Sequence, residues 1–323
     1  MTQNLPIVAV TRATPGGNLA VKNAQMRQLG EKMPTRGELL DHVQGASVIV
    51  SMYMDGIDRE LIDAAGDQLR GVCNFAVGYN NIDTEVCKER GIVVAYTPDA
   101  VTEGTANMGF LLLLAVARRL VEADRFARSG AWADHGLLGM HEMVGLELTG
   151  RTIHIVGAGR IGYAMALRAK AFGMDVIYTT RSQKIGFEIA PVCARQVELE
   201  VGLRQADVVS IHTPLTDETR HLLSRDRIAM LRPEAIVINT SRGPTIDESA
   251  LAKALREKRI FGAGLDVFED EPRVHPELVG LTNVVMTPHI GSAERRWRQE
   301  MSRMCERNAE AILAGEEPPY RVC

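Results

Sequence analysis

The run Thr152-Ile153-His154-Ile155-Val156-Gly157-Ala158-Gly159-Arg160-Ile161-Gly162, then a helical stretch, then Asp175-Val176-Ile177-Tyr178-Thr179-Thr180-Arg181-Ser182, decides how this chain folds. Thr152 to Val156 is apolar and β-branched over the length of a strand. Gly157, Gly159 and Gly162 follow in the G-x-G-x-x-G spacing. The first glycine permits a tight turn, the second lets a pyrophosphate approach the backbone, and the third lets helix and strand pack closely. Arg160 to Phe172 reads as the helix whose N-terminal N–H groups would hold that pyrophosphate, Gly173 ends it, and Asp175 to Thr180 supplies the second strand. The glycine spacing alone is weak, but inside strand–turn–helix–strand it points to a bound dinucleotide.

The end of the second strand bears on which dinucleotide. An acid there, about 20 residues past the glycines, would hydrogen-bond the adenosine ribose 2′-OH and select NAD. This chain has Thr180-Arg181-Ser182 instead. A guanidinium and two hydroxyls suit a 2′-phosphate, so the expected preference is NADP(H), with NAD(H) still usable. The competing reading is that Arg181 stacks on adenine or is merely solvated.

Outward from this unit, 323 residues suit two domains, and 46% hydrophobic with 24% charged residues is ordinary for a globular protein. A net charge of −4 argues against a nucleic-acid surface. Met1-Thr2-Gln3-Asn4-Leu5-Pro6 has no basic, apolar leader pattern, and the apolar stretch Met108 to Ala117 is too short to span a bilayer. Cys73, Cys87, Cys193, Cys305 and Cys323 are odd in number and lack C-x-x-C spacing, so they read as reduced thiols of a cytoplasmic protein with no metal site.

Before the glycine motif, Ile7 to Thr11, Ser47 to Ser51, Gly71 to Ala76 and Ile92 to Tyr96 read as buried parallel strands separated by helices such as Gly37 to Gln44 and Ile57 to Gly66. After Thr97-Pro98-Asp99, Val101 to Ser129 reads as one long helix, and Ala131 to Gly150 as an extended arm. After it, Asp207 to His212, Ala235 to Thr240, Gly262 to Val267 and Asn283 to Thr287 complete six strands, the number of the doubly wound dinucleotide fold. A last helix, Glu294 to Ala314, is expected to return to the first domain.

In open parallel sheets ligands lie beyond the carboxyl ends of the strands. Ser241-Arg242-Gly243, Asp266-Val267-Phe268-Glu269-Asp270-Glu271-Pro272 and Pro288-His289-Ile290-Gly291-Ser292 follow successive strands, so a guanidinium, a carboxylate and an imidazole converge on one rim, a set suited to reducing a ketone. Read alone, each has another explanation. Arg242 could cap a helix or bind cofactor phosphate, Glu269 or Asp270 could take the role of Glu271, and His212 competes with His289. His154, inside a strand, has no explanation from the sequence.

With Val77-Gly78-Tyr79-Asn80-Asn81-Ile82-Asp83 and Gly264-Leu265-Asp266-Val267-Phe268, these motifs make the chain resemble the D-isomer-specific 2-hydroxyacid dehydrogenase family over nearly its whole length, in family order. Within the family it is most similar to bacterial glyoxylate/hydroxypyruvate reductases and 2-ketogluconate reductases. The resemblance implies an α/β protein of two doubly wound parallel-sheet domains, a Rossmann cofactor domain at 101–291 and a flavodoxin-like substrate domain made of 1–100 and 292–323, with an interdomain cleft. It implies a homodimer built through the cofactor domain. It assigns Arg242, Glu271 and His289 to catalysis, with Val77, Gly78, Arg242 and His289 holding the substrate. The expected cofactor contacts are Thr105, Gly157, Ala158, Gly159, Arg160, Ile161, Gly162, Thr180, Arg181, Ser182, Thr213, Pro214, Thr240, Ser241, Asp266 and Gly291.

The chemistry of those roles is consistent. Arg242 can pair with the carboxylate of a 2-oxo acid through its planar fork of donors. An imidazole titrates near neutrality, at about 6.5 when unperturbed, and an acid beside His289 favours its charged form, ready to protonate the developing alkoxide. The expected reaction is NAD(P)H-dependent reduction of a small 2-oxo acid to the D-2-hydroxy acid, with glyoxylate, hydroxypyruvate and 2-ketogluconate all open. Ser51-Met52-Tyr53-Met54 and Trp132 or Trp297 are expected near the pocket, with no basis to choose a role for Tyr53. The alternative from another class is a dinucleotide-sensing protein resembling the corepressors related to these enzymes.

Overall fold

The structure, a computed structural model, describes residues 5–15 and 17–323; the first four residues of the leader reading lie outside that range. The chain divides into two compact units, residues 1–101 with 292–323 and residues 102–291.

The first unit is a parallel sheet of β1 (Ile7–Val10), β2 (Gln25–Gln28), β3 (Ala46–Met52), β4 (Gly71–Phe75) and β5 (Val93–Ala95), in the order β2-β1-β3-β4-β5. That is the flavodoxin-like strand order. β3 and β4 are buried at every residue, as strands covered by helices on both faces must be. The sequence reading lacked β2: its residues Gln-Met-Arg-Gln carry no apolar run, and it pairs only along the sheet edge. The C-terminal helix Arg295–Ala314 packs on this sheet, its buried Met301, Met304, Cys305 and Ile312 facing inward, and the tail continues as an antiparallel bridge to Ala95. Three aspartate- or threonine-capped helices, Arg36–Val43, Arg59–Ala65 and Thr84–Glu89, start where a side-chain oxygen accepts an otherwise unpaired N–H.

The second unit is a seven-stranded parallel sheet of β6 (Thr152–Val156), β7 (Asp175–Thr179), β8 (Arg195–Gln196), β9 (Val208–Ile211), β10 (Ile236–Asn239), β11 (Gly262–Leu265) and β12 (Val284–Met286). Its order, β12-β11-β10-β9-β6-β7-β8, is doubly wound, with the reversal between β6 and β9. Seven strands replace the six expected because β8 is two polar residues long at the far edge. Side chains alternate between two cores, as strand geometry requires. Val208, Ile236 and Ile238 belong to one cluster with Ile153, Ile155, Met165 and Tyr178, whereas Val209, Ile211 and Val237 belong to another with Leu251, Leu255 and Leu278.

The single long helix expected over 101–129 is two helices, Thr102–Ala117 and Leu120–Arg128, bent by 64°. The buried apolar face ends at Ala117, and Arg119 takes a left-handed φ of 52° while its guanidinium pairs with Glu122 at 2.7 Å. The arm beyond it carries one short helix, Ala131–His135. Among the described residues no single helix is long and apolar enough to cross a membrane, although this bent pair passes by length and composition; its first half is mostly buried.

Candidate active site

The glycine turn follows from sterics. Gly157 has φ +101°, and a Cβ there would stand 2.7 Å from the His212 carbonyl, so the turn after β6 lies against the exit of β9 across the reversal point. A Cβ on Gly162 would collide with the Gly157 carbonyl, which fixes the helix Arg160–Ala171 close against the strand. Gly159 is different: nothing lies within 4 Å of where its Cβ would be. It caps that helix with no side-chain acceptor, so the first N–H groups face an open groove lined by Ala158, Gly159, Arg160, Tyr163, Gln183 and Lys184. These are the features that receive an anionic pyrophosphate.

The rest of the expected cofactor set is at the same sheet end. Thr213 and Thr240, following β9 and β10, carry buried hydroxyls with no hydrogen-bond partner in the protein. Orphaned polar atoms of this kind mark where a polar ligand belongs, and with the groove at Gly159 they fit the nicotinamide dinucleotide implied by the fold. Pro214 follows Thr213, its carbonyl taken by Thr219, and the Ser241 side chain is held by Asn239 at 2.8 Å. Ile161 sits in the first turn of the helix, and Thr180 accepts from Gln196 through its carbonyl. Arg181 and Ser182 are exposed at the exit of β7.

Asp266, at the exit of β11, is buried. Its oxygens accept from the Thr287 hydroxyl at 2.5 Å and from the N–H groups of Ile290 (2.9 Å) and Gly291 (2.7 Å), and its carbonyl accepts from His289 N–H. Burial raises its pKa against those bonds. The Asp266 carboxylate is therefore the anchor of the loop after β12, a task that Thr287 completes and that the spacing of the sequence does not reveal. Gly291 leaves room for this: a Cβ there would meet the Asp266 carboxylate at 2.9 Å and the Thr105 side chain at 3.6 Å.

That anchored loop presents His289 in a left-handed conformation (φ 54°), with Nδ1 2.7 Å from Glu271 Oε2. The other Glu271 oxygen accepts from Phe268 N–H at 3.0 Å, so the acid is fixed by its own loop. Burial works against the Glu271 charge, yet the hydrogen bond and charge of His289, the Phe268 N–H and the nearby Arg242 charge hold its carboxyl below the usual range. The competing acids are committed elsewhere, Glu269 to His221 at 3.0 Å and Asp270 to Arg273 at 2.8 Å. Arg242 leaves β10 with its carbonyl held by Asn239 and Thr245 and one guanidinium nitrogen on Ser241 O. A cation, an imidazole and a carboxylate thus stand together at one rim, an arrangement able to bind an oxyanion and deliver a proton beside it.

The rival histidines sit in other environments. His212 Nε2 bonds Ser210 Oγ at 2.8 Å; part of its surface is accessible, but the ring is closely enclosed and burial pushes its pKa down to about 4. His154 is wholly buried, with Nε2 2.8 Å from Thr179 Oγ1, Nδ1 without a partner, and a pKa driven by burial to about 4. Its ring fills the space where Gly202 has no side chain, which is why a bulky polar residue is tolerated inside β6. In the first unit, the Val77-Gly78 turn follows β4, and Asn74 holds the Gly78 carbonyl at 2.7 Å. Trp132 is half exposed on the arm, and Trp297 lies under the Arg296 guanidinium at 4.8 Å.

The profile of the D-isomer specific 2-hydroxyacid dehydrogenase NAD binding domain matches residues 110–291. The chain belongs to the D-isomer-specific 2-hydroxyacid dehydrogenase family. A glyoxylate reductase of Thermococcus litoralis is 47% identical over 90% of this chain and 88% of its own, and one of Thermococcus onnurineus is 43% identical over 98% and 96%. Among solved structures, the TT0316 protein of Thermus thermophilus superposes with a TM-score of 0.90 at 41% identity, covering 98% of this chain and all of its own. An NADPH-dependent glyoxylate/hydroxypyruvate reductase of Sinorhizobium meliloti, solved with NADP and malonate, gives 0.83 at 31% identity, covering 98% and 97%. This dehydrogenase-family chain is accordingly an oxidoreductase that binds a nicotinamide dinucleotide and reduces a 2-oxo acid.

Proposed function

We propose that this enzyme reduces small 2-oxo acids, glyoxylate and hydroxypyruvate foremost, to D-2-hydroxy acids in the cytoplasm, with NADPH preferred over NADH. The observation that carries the reading is the 2.7 Å His289–Glu271 pair beside Arg242 at the cofactor end of the sheet. The named relatives, glyoxylate reductases at 43–47% identity, favour an enzyme over a dinucleotide sensor without turnover.

When bound, the nicotinamide supplies a hydride to the ketone carbon. Arg242 pairs with the substrate carboxylate and polarises the ketone oxygen through its fork of donors. His289, oriented through Nδ1 by Glu271, gives the Nε2 proton to the oxygen as negative charge develops on it. Thr213 and Thr240 offer their unpaired hydroxyls to the cofactor, and Gly159 with the helix behind it receives the pyrophosphate.

The preference for NADPH rests on Arg181 and Ser182, exposed where an acid would otherwise select NAD, and on Lys184 in the adjoining groove. Measuring kcat/KM for glyoxylate, hydroxypyruvate and 2-ketogluconate with each cofactor tests the reading. Turnover of the first two with NADPH ahead of NADH is expected. A clear NADH preference removes the cofactor claim, and failure to reduce any 2-oxo acid removes the function.

A second copy of the chain is the proposed partner. Helix Leu120–Arg128 buries none of its residues, and the arm after it exposes Leu137 (90%) and Met140 (98%), more apolar surface than solvent favours. Light scattering should give the mass of a dimer.

A further inference from the structure

The turn carrying Arg242 and the loop carrying Glu271 meet through their backbones. A Cβ on Gly243 would overlap the Phe268–Glu269 peptide, so the two backbones are in direct contact. Around that contact Glu248, first residue of the helix Glu248–Arg256, accepts from Glu269 N–H at 2.7 Å, and Glu269 accepts in return from Glu248 N–H at 2.9 Å. The same Glu269 oxygen lies 3.0 Å from His221 Nε2, and the His221 backbone N–H donates to Pro244 O at 2.8 Å. One set of bonds therefore links Pro244, in the turn just after Arg242, through His221 to the reciprocal Glu269–Glu248 pair beside Glu271.

We infer that Glu248 is a positioning residue for the reduction: its reciprocal bonds with Glu269 hold the loop of Glu271 against the turn of Arg242. The inference rests on the proposed roles of those two residues. Glu248 is buried and bonded to the Glu269 loop, so it acts by fixing where the imidazole's partner stands. Glu248 is buried beside Glu269, Asp270 and Glu271, and burial together with these three charges pushes its carboxyl up to about 7, against the Glu269 N–H bond that lowers it. Of the ionic groups on the packed elements, His221 faces Glu269 at 3.0 Å, Arg227 pairs with Glu200, Arg256 with Glu277, and Asp247 caps its own helix at Ala250.

The test is kcat and KM from pH 6 to 9 for the wild-type chain, Glu248→Ala and Glu248→Gln, with melting curves for each. Glu248→Ala should lower kcat about tenfold while leaving KM for NADPH within about twofold, because geometry at the reacting centre is lost and cofactor binding is not. Glu248→Gln keeps an acceptor oxygen for the Glu269 N–H, so it should recover most of kcat. If Glu248→Ala melts normally with kcat within about twofold of wild type, the inference is overturned. If Glu248→Ala does not fold, Glu248→Asp is measured instead, and a folded Glu248→Asp with kcat within about twofold of wild type overturns it, because its shorter side chain draws the acceptor away from the Glu269 N–H. Wild-type turnover with 2-oxo acids is read in the same experiment, so a failure of the proposed function is seen separately from a failure of the clamp.

Discussion

The exits of β9 and β12 each present a histidine at the same end of the same sheet, and the two rings are set up for different ends. His212 bonds Ser210, is enclosed by protein, and has its pKa pushed down to about 4. His289 meets a carboxylate at 2.7 Å, on a loop whose N–H groups are gathered by Asp266. Desolvation disfavours a charged imidazole, whereas a carboxylate partner favours it. On the proposed reading, position on this rim is insufficient, and the neighbouring acid is what fits His289 rather than His212 to donate a proton.

Exchanging the two roles by mutation should break the comparison if it is wrong. His289→Ala is expected to lower kcat by about a thousandfold, within the range of a lost general acid, with NADPH affinity nearly intact by titration. His212→Gln, which can keep the Ser210 bond, should cost less than about tenfold on the same scale. Equal losses would erase the distinction. Arg242→Lys comes next: a point charge cannot reproduce the bidentate fork, and kcat/KM for a 2-oxo acid should fall about a hundredfold. Arg181→Ala should raise KM for NADPH about tenfold and leave KM for NADH little changed, the size of one charge-assisted hydrogen bond lost at an exposed site.

The last effect is on stability, not turnover, and concerns the buried His154. His154 titrates near 4 in the fold and about 6.5 when unfolded. Between those values the unfolded chain binds the proton and the folded one does not, so stability falls as pH drops from about 6.5 to 4 and is flat above. The full difference is about 3 kcal/mol. His154→Val should flatten the melting temperature against pH across that window; an unchanged slope would show that the buried ring is not its source.

Much of this could be read from the chain because the informative residues are local. Gly157 and Gly162 encode a turn whose clashes involve atoms only one strand or a few residues away, Gly159 leaves open space in the same spacing, and the apolar runs of β3, β4 and β9 report burial on both faces. The polar edge strands β2 and β8 carry no such signal, since their place is set by hydrogen bonding to a neighbour. The bend at Arg119 is a backbone event between two apolar helices, invisible to periodicity. The partner of His154 and the lock of Asp266 on Thr287 join residues 25 and 21 positions apart. The clamp of Glu248 on Glu269 is equally non-local, and nothing in either residue's neighbours announces it.

The most direct test of the central claim is the pH dependence of kcat for wild type and Glu271→Gln, at saturating NADPH and 2-oxo acid. Glutamine can still hydrogen-bond Nδ1 but brings no charge, so the profile should change shape and its maximum should fall. Two superimposable profiles would contradict the account, because the carboxylate would then have no part in the proton transfer.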